Sequence, residues 1–433
     1  MIQTGLIQNA HNDLVTDASY DFYGLRLATC SLDQRIKIWQ LDEDTGNWDV
    51  EDDWKAHDAA VTKISWAHPE FGTIVASSSF DRTVKIWEQT AYAEIERPQA
   101  NGASSSSSSS RWTERAVLVD AKFSVRAVEF APQHFGLKLA AISSDNHLRI
   151  YECLEQPSLA TWQLAEEVDV LALPSTSPTS NSISQTVTLA TPTQTTSTLD
   201  GASVSLAAQA LQQQQQQSQA PSRPGLGNRE ADGGWCISWC KDKYWGEIIA
   251  AGCGIDGKIK VIQLSPSKRP ATLLTLSTAP LRPSSETTSK APVPPADGEA
   301  APYAITSVSW APSCGRSYHL IATGSRDGKV RIWRIKPPAL ADEADYEGDG
   351  DGDGSEGKWT GSIVGEFDDH KSSVGRVEWN ITGTVLSSAG NDGRVRLWKA
   401  TAGNVWRPAG HIGVEQADEQ PPDIDMDENP VAD

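Results

Sequence analysis

Basic charge is scarce in this 433-residue chain, where 37 Lys and Arg stand against 57 Asp and Glu. Two runs, 342–356 and 415–433, each hold eight acidic residues and no basic one, so they carry sixteen of the twenty excess negative charges. The remaining body is only mildly acidic and has no basic stripe to neutralise phosphates, which argues against direct nucleic-acid binding. Long apolar runs are also missing. No stretch approaches the ~20 residues of a spanning helix. The first ten residues lack the charged flank and apolar run of a signal peptide. A soluble, intracellular protein is expected. Cysteine is sparse, at Cys30, Cys153, Cys236, Cys240, Cys253 and Cys314, with no Cys-x-x-Cys pair. The six are expected as reduced thiols buried in strands. Hydrophobic residues make up 38%, low enough that much of the chain should lie outside any core.

Tryptophan, by contrast, is abundant at 16 copies, and eight of them stand at corresponding positions of a repeat. Six segments show a short alternating strand ending in an aromatic, then a second apolar strand, a turn with Asp, and a third strand. The first strands end at Tyr20, Trp66, Phe130, Trp239, Trp310 and Trp379. The turn aspartates are Asp33, Asp81, Asp145, Asp256, Asp327 and Asp392. Each stands six residues before the end of its third strand, at Trp39, Trp87, Tyr151, Ile262, Trp333 and Trp398. The Asp follows the aromatic by 13 to 17 residues, enough for a loop and a strand. Asp-Gly in the last three repeats suits a hairpin needing positive φ. A repeat of this kind predicts an all-β, six-bladed WD40 β-propeller.

In such a blade the turn Asp, a His before the first strand, a Ser or Thr and the Trp can form one buried hydrogen-bonded network. His11, His57 and His370 fill the His position in repeats one, two and six. Repeats three, four and five lack it, and repeat four also lacks the Trp. These residues are read as structural, not catalytic.

The propeller is assigned to 1–411, with repeats at about 11–54, 55–98, 111–164, 233–264, 302–336 and 358–411. Low-complexity insertions are assigned to 99–110, 155–232, 265–301 and 337–357, and an acidic disordered tail to 412–433. They include seven consecutive Ser at 104–110 and six Gln at 212–217. Without them each blade averages about 44 residues, inside the ~40–45 of WD40 repeats. Part of 155–173 retains apolar Leu159, Trp162, Leu164 and Val170 that can pack.

No constellation for chemistry stands out. Asp349-Gly350-Asp351-Gly352-Asp353 resembles the opening of a calcium loop, but its twelfth position is Thr360, not Glu. No zinc-ligand spacing, phosphate loop or nucleophile elbow occurs. No enzyme, metal or cofactor is expected.

Ring closure is the open question. Asn404-Val405-Trp406-Arg407-Pro408 reads as an outer strand of the sixth repeat, yet Thr4-Gly5-Leu6-Ile7-Gln8 reads as another. Both together imply an incomplete seventh blade, open to a partner that adds strands. If the ring closes on itself, 4–8 pairs onto the sixth blade and 404–408 is left over. Residue patterns alone leave the two nearly even. Candidate partner contacts are Leu6, Ile7 and Gln8, then the edge residues Ile36, Ile38, Val395 and Leu397, which read more naturally as core of their own blades.

Some of these residues are more specific than a generic repeat. Ala18-Ser19-Tyr20-Asp21-Phe22-Tyr23-Gly24, running into Leu27-Ala28-Thr29-Cys30-Ser31, resembles the Seh-type WD40 nucleoporins (Sec-thirteen homologues). So do Leu118-Val119-Asp120, Phe130-Ala131-Pro132, and Arg149-Ile150-Tyr151-Glu152 with Leu159 and Trp162. The resemblance covers roughly 11–164 and 233–398. It implies a structural scaffold of the Y-shaped nuclear pore complex, an open ring completed in trans by a strand-donating α-solenoid nucleoporin. It implies nuclear-envelope localisation and a role in nucleocytoplasmic transport, and also a coat-like, TOR-regulating complex at the vacuolar or lysosomal membrane. It carries over no catalytic residue. Two other binding readings remain, a COPII-coat-like propeller and a closed-ring, peptide-reading adaptor; catalysis is the third and weakest alternative.

Overall fold

The computed structural model describes residues 7–90, 111–156, 158–174, 232–264, 269–278, 303–338 and 358–413. The Ser-run, poly-Gln and acidic-loop assignments, the tail beyond residue 413, and Leu6 lie outside the described residues. Among the described residues, twenty-four strands form six antiparallel four-stranded sheets, each hydrogen-bonded in sequence order from inner to outer strand. Blade 1 comprises β1 Val15–Tyr20, β2 Arg26–Ser31, β3 Arg35–Leu41 and β4 Trp48–Lys55. Blade 2 comprises β5 Val61–Trp66, β6 Ile74–Ser79, β7 Val84–Gln89 and β8 Trp112–Leu118. Blade 3 comprises β9 Val125–Phe130, β10 Lys138–Ser143, β11 His147–Cys153 and β12 Trp162–Asp169. Blade 4 comprises β13 Gly234–Trp239, β14 Ile248–Gly254, β15 Lys258–Gln263 and β16 Ala271–Ser277. Blade 5 comprises β17 Ile305–Trp310, β18 His319–Ser325, β19 Val330–Lys336 and β20 Thr360–Phe367. Blade 6 comprises β21 Val374–Trp379, β22 Val385–Gly390, β23 Arg394–Ala400 and β24 Trp406–Gly413.

All six inner strands end on the aromatic that the repeat marked. The outer strands correct the sequence-based boundaries. β12 and β16 lie inside segments assigned to the insertions 155–232 and 265–301, and β24 runs two residues past 411. An outer strand is hard to read because it is half-exposed and pairs on one edge only, so it lacks a clean apolar alternation. β12 shows this as Trp-Gln-Leu-Ala-Glu-Glu-Val-Asp, with one residue fully buried. The thiols also differ from expectation at one place. Five are buried, but Cys314 is exposed in the turn after β17, and Cys240 lies just past the end of β13.

The core lies between the sheets. A strand's alternate residues face opposite neighbours, so Ala140, Ile142, Leu148 and Ile150 pack toward blade 4, while Leu139, Ala141 and Tyr151 pack toward blade 2. Five apolar clusters fill the junctions 1–2, 2–3, 3–4, 4–5 and 5–6. At roughly 1.5–3 kcal/mol for each large aliphatic side chain buried, these junctions hold most of the stability.

Turn chemistry follows the repeat. Gly257, Gly328 and Gly393 take φ of 62°, 82° and 70° after the turn Asp, and in the first three blades Gln34, Arg82 and Asn146 hold the same conformation at 74°, 70° and 66°. A side chain there costs roughly 1–2 kcal/mol, partly offset by the chain entropy that glycine loses on folding. Arg82→Gly is therefore expected to stabilise the protein by roughly 0.5–1 kcal/mol, read as a higher urea midpoint at unchanged slope. Gly328→Ala should do the reverse, since its Cβ would also stand 2.7 Å from the His370 carbonyl oxygen.

Candidate functional site: the seam between the last and first blades

Each inner strand presents one bare edge to its neighbour, and side chains of the preceding blade satisfy it. Thr16 and Thr62, second in β1 and β5, donate to the carbonyls of Val61 and Val125 at 2.7 and 2.8 Å; Thr306 does the same to Val374. Backbone amides at the fourth position are met by Asp17, which accepts from Ile64 at 3.1 Å, and by Ser307, which accepts from Val377 at 3.1 Å. At the sixth position Ser65, Glu129 and Ser238 accept from the amides of Phe130, Trp239 and Trp310 at 3.1, 3.1 and 3.0 Å. Buried backbone donors need such partners.

Between blades 6 and 1 this pattern stops. The second position of β21 is Gly375, which has no side chain to reach forward, whereas blades 3 and 4 carry Arg126 and Trp235 there. The fourth and sixth residues of β1, Ala18 and Tyr20, have no side-chain acceptor for their amides among the described residues, and both are exposed. Their equivalents Ile64, Val128, Val308 and Val377 are buried, as are Phe130, Trp239 and Trp310. Tyr20 is 58% exposed and touches Trp48, ring centroids 5.7 Å apart. On the other side Val395 and Leu397 are only half-buried, whereas the paired positions in all five other blades are buried completely or nearly so. The Arg376 guanidinium of β21 reaches the buried Asp17 carboxylate of β1, which Lys63 also contacts at 3.1 Å. No apolar cluster spans this junction among the described residues.

Of the candidate contacts, Val395 and Leu397 therefore lie on the uncovered face of blade 6. Ile36 and Ile38 do not reach the seam. Both are fully buried against blade 2, because their strand parity turns them away from it. Ile7 and Gln8 precede β1 outside any strand, so no fifth strand pairs onto blade 6 among the described residues. Of the segment expected as 404–408, Trp406, Arg407 and Pro408 lie in β24 and pair with β23, while Asn404 and Val405 belong to the turn before it. Residues missed from the sequence are Gly375, Ala18 and Tyr20. The second inner-strand position is Thr in blades 1, 2 and 5, Arg126 and Trp235 in blades 3 and 4, and Gly in blade 6, which thus has no side chain there.

The repeat network holds the blades that flank the seam. In blade 1 Trp39 Nε1 donates to Thr29 Oγ1 at 2.9 Å, His11 Nε2 meets that hydroxyl at 2.8 Å, and His11 Nδ1 meets Asp33 at 3.0 Å. One tautomer satisfies the chain, with the proton on Nδ1 donated to the carboxylate. Blades 2 and 6 repeat it through Trp87, Ser77, His57 and Asp81, and through Trp398, Ser388, His370 and Asp392. Blades 3 and 5 replace the His with an arginine four residues after the Asp. Arg149 donates to Ser143 at 2.6 Å and Asp145 at 2.8 Å; Arg331 donates to Ser325 at 3.1 Å and Asp327 at 3.0 Å, beside the Trp333–Thr323 bond. In blade 4 the corresponding residue is Lys260, which turns to the carbonyls of Leu171 and Leu173. Asp256 is thus exposed and outside any network, a correction to its assignment. With His, Arg and Trp all missing, nothing remains to hold it.

Burial pushes the His11 imidazole below its ordinary value despite the pull of Asp33. Burial opposes ionisation of Asp145, yet Arg149, Ser143 and the His147 amide together bring it to about 2. Both groups therefore favour the folded state above their unfolded values and lose that contribution as pH falls. Stability is expected to drop first below about 6.5 as unfolded His11 takes up its proton, then again from about 4 toward 2. Urea midpoints across that range check it; Asp145→Asn should flatten the lower step.

The central channel, about 680 Å3, is lined by residues of all six inner strands. Of the charged groups on it, Lys63 pairs with Asp17 and Lys241 with Glu129. No group of His, Cys, Asp or Glu suited to a metal occurs among the described residues.

The WD domain, G-beta repeat family matches residues 3–40, 49–88, 298–334 and 361–399. The chain is 33% identical to the nucleoporin SEH1 of Saccharomyces cerevisiae over 94% of its own length and 99% of that protein's. It is 31% identical to nucleoporin seh1 of Schizosaccharomyces pombe, over 97% and 99%. It is also 31% identical to human nucleoporin SEH1, over 92% and 85%. Repeat, blade geometry and full-length similarity agree: this chain belongs to the SEH1 family of nucleoporins, as a non-catalytic WD40 propeller of the nuclear pore.

Proposed function

We propose that the chain is a strand-accepting scaffold, whose blade 6–blade 1 seam takes β-strands from an α-solenoid nucleoporin as a seventh blade. The observation that carries this is the uneven core: five junctions are filled by apolar clusters, while the sixth, crossed by the Arg376–Asp17 ion pair, leaves Val395, Leu397, Ala18 and Tyr20 uncovered. An incoming inner strand would find Glu378 in the place where Glu129 accepts the next blade's amide. It would offer side chains to Ala18 and Tyr20 in return. Main-chain pairing would supply affinity and the half-buried aliphatics would supply fit. Within this reading the propeller anchors the solenoid in the Y-shaped pore scaffold. The resemblance extends the same seam to a coat-like, TOR-regulating complex at the vacuolar membrane.

Co-expression with the α-solenoid nucleoporin, followed by gel filtration, tests the proposal. A one-to-one complex is the expected result. A stable monomer that ignores the solenoid, and instead retains short peptides in its channel, would point to the closed-ring adaptor.

A further inference from the structure

The motif Tyr20-Asp21-Phe22-Tyr23-Gly24 is only partly explained by the fold. Asp21 and Gly24 build the turn between β1 and β2: Asp21 Oδ1 accepts from the amides of Leu25 and Arg26 at 3.0 and 3.2 Å, and Gly24 takes φ of 74°. Phe22 and Tyr23 do nothing for that turn. They stand 65% and 68% exposed, with Leu25 beside them. Phe22 meets Tyr23 edge-on at 5.4 Å and the His68 ring of blade 2 at 4.8 Å. Large aromatics held this far in water mark a contact surface more often than a scattered leucine does.

Next to the pair, a cleft of about 470 Å3 is lined by Leu25, Gln40, Leu41, Asp42, Glu43 and Asp49. From Ile38 to Trp54 the sequence contains no Lys or Arg but seven acidic residues. Glu51 and Asp53 are met by Arg26, Arg35, Lys37 and Arg111, and Asp52 accepts from the Arg111 amide. Asp42, Glu43, Asp44 and Asp49 have no cation among the described residues. Aromatic faces and unneutralised carboxylates side by side complement one kind of occupant, a cation carried next to an apolar side chain.

We infer that this rim of blade 1 docks a short basic segment of a partner protein, with an aromatic or aliphatic anchor on Phe22 and Tyr23 and Lys or Arg in the cleft. The surface lies on the turn face of blade 1 and does not depend on the seam being filled.

Fluorescence anisotropy tests this with three labelled peptides and the full chain. They are Lys-Arg-Leu-Phe-Lys-Arg, its charge-reversed form Glu-Asp-Leu-Phe-Glu-Asp, and Lys-Arg-Ser-Ser-Lys-Arg. Binding of the first is expected, weakening several-fold as salt rises, with the other two at least tenfold weaker. Phe22→Ser with Tyr23→Ser should weaken the first peptide about tenfold. Asp42→Asn with Asp49→Asn should weaken it less and flatten the salt dependence. Both variants should melt within a few degrees of wild type, since none of the four side chains is buried and the contact of Phe22 with His68 lies outside the apolar cluster between blades 1 and 2. Equal affinity for wild type and the Phe22/Tyr23 variant, equal affinity for the acidic peptide, or no binding of the basic peptide would overturn the proposal. So would a concentration-dependent dimer, detected by sedimentation and lost in that variant, because it would assign the surface to a second copy of this chain.

Discussion

Leu397→Asp is expected to abolish binding of the α-solenoid nucleoporin, by at least about a hundredfold, while the propeller stays folded. Leu397 is half-buried on the uncovered face of blade 6, so in the free chain a carboxylate there remains partly in water. Its cost to stability should be about 1 kcal/mol or less. Once strands cover that face, the same carboxylate would be buried without a partner, which costs several kcal/mol. The control is Ile332→Asp, at the matching position of blade 5, where the side chain is completely buried against blade 6. That change should destabilise the free protein by more than about 4 kcal/mol. Calorimetric binding and thermal melts on the two variants separate the cases. Similar melting losses in both would mean that the blade 6 face is already covered in solution.

Arg149→Leu carries the second large effect, this time on folding. Arg149 is 1% exposed and ties Ser143, Asp145 and, at 2.8 Å, Glu167. Removing the cation leaves the Asp145 carboxylate buried with only neutral partners, a loss of about 3–5 kcal/mol. The intact blades suggest the repair. Ala121 occupies the position held by His11 and His57, because the amide of the following residue, Lys122, bonds Asp145 as those of Asn12 and Asp58 bond Asp33 and Asp81. Blades 1 and 2 also carry Lys37 and Lys85 where blade 3 carries Arg149. Ala121→His combined with Arg149→Lys should therefore recover most of the stability that Arg149→Lys alone loses. Urea unfolding of the single and double variants gives the answer. No recovery in the double variant would mean that Arg149 is held by packing, not by its hydrogen bonds.

These two cases show what the residue pattern could and could not reveal. Inner strands were legible to the residue because an alternating run ending in a buried aromatic has few other uses. The turn aspartates were equally clear, since hydrogen bonding and positive φ constrain both positions of the turn. Arg149 and Arg331 were missed as members of the network because they do the work of histidine from a different place in the repeat. The spacing Asp-x-x-x-Arg marks them, but only once the blade is seen to bring those residues together. β12 and β16 were hidden for another reason. Outer strands take half their environment from solvent, so their composition merges with that of the neighbouring low-complexity segments. The seam was half-visible. Gly375 is a local signal, whereas the exposure of Val395 and Leu397 is not. Their sequence, Arg-Val-Arg-Leu-Trp, reads like every other third strand, and only the arrangement of blades shows that nothing covers them.

Two amides of β1, those of Ala18 and Tyr20, face the seam without a side-chain acceptor among the described residues. Hydrogen exchange at Ala18 and Tyr20, measured in the free chain and with the α-solenoid nucleoporin bound, tests whether a blade enters there. Fast exchange in the free chain and strong slowing in the complex, with Ile64 and Phe130 protected throughout, is the predicted result. A complex that forms while Ala18 and Tyr20 continue to exchange as fast as in the free chain would contradict it, and would place the partner on another face of the propeller.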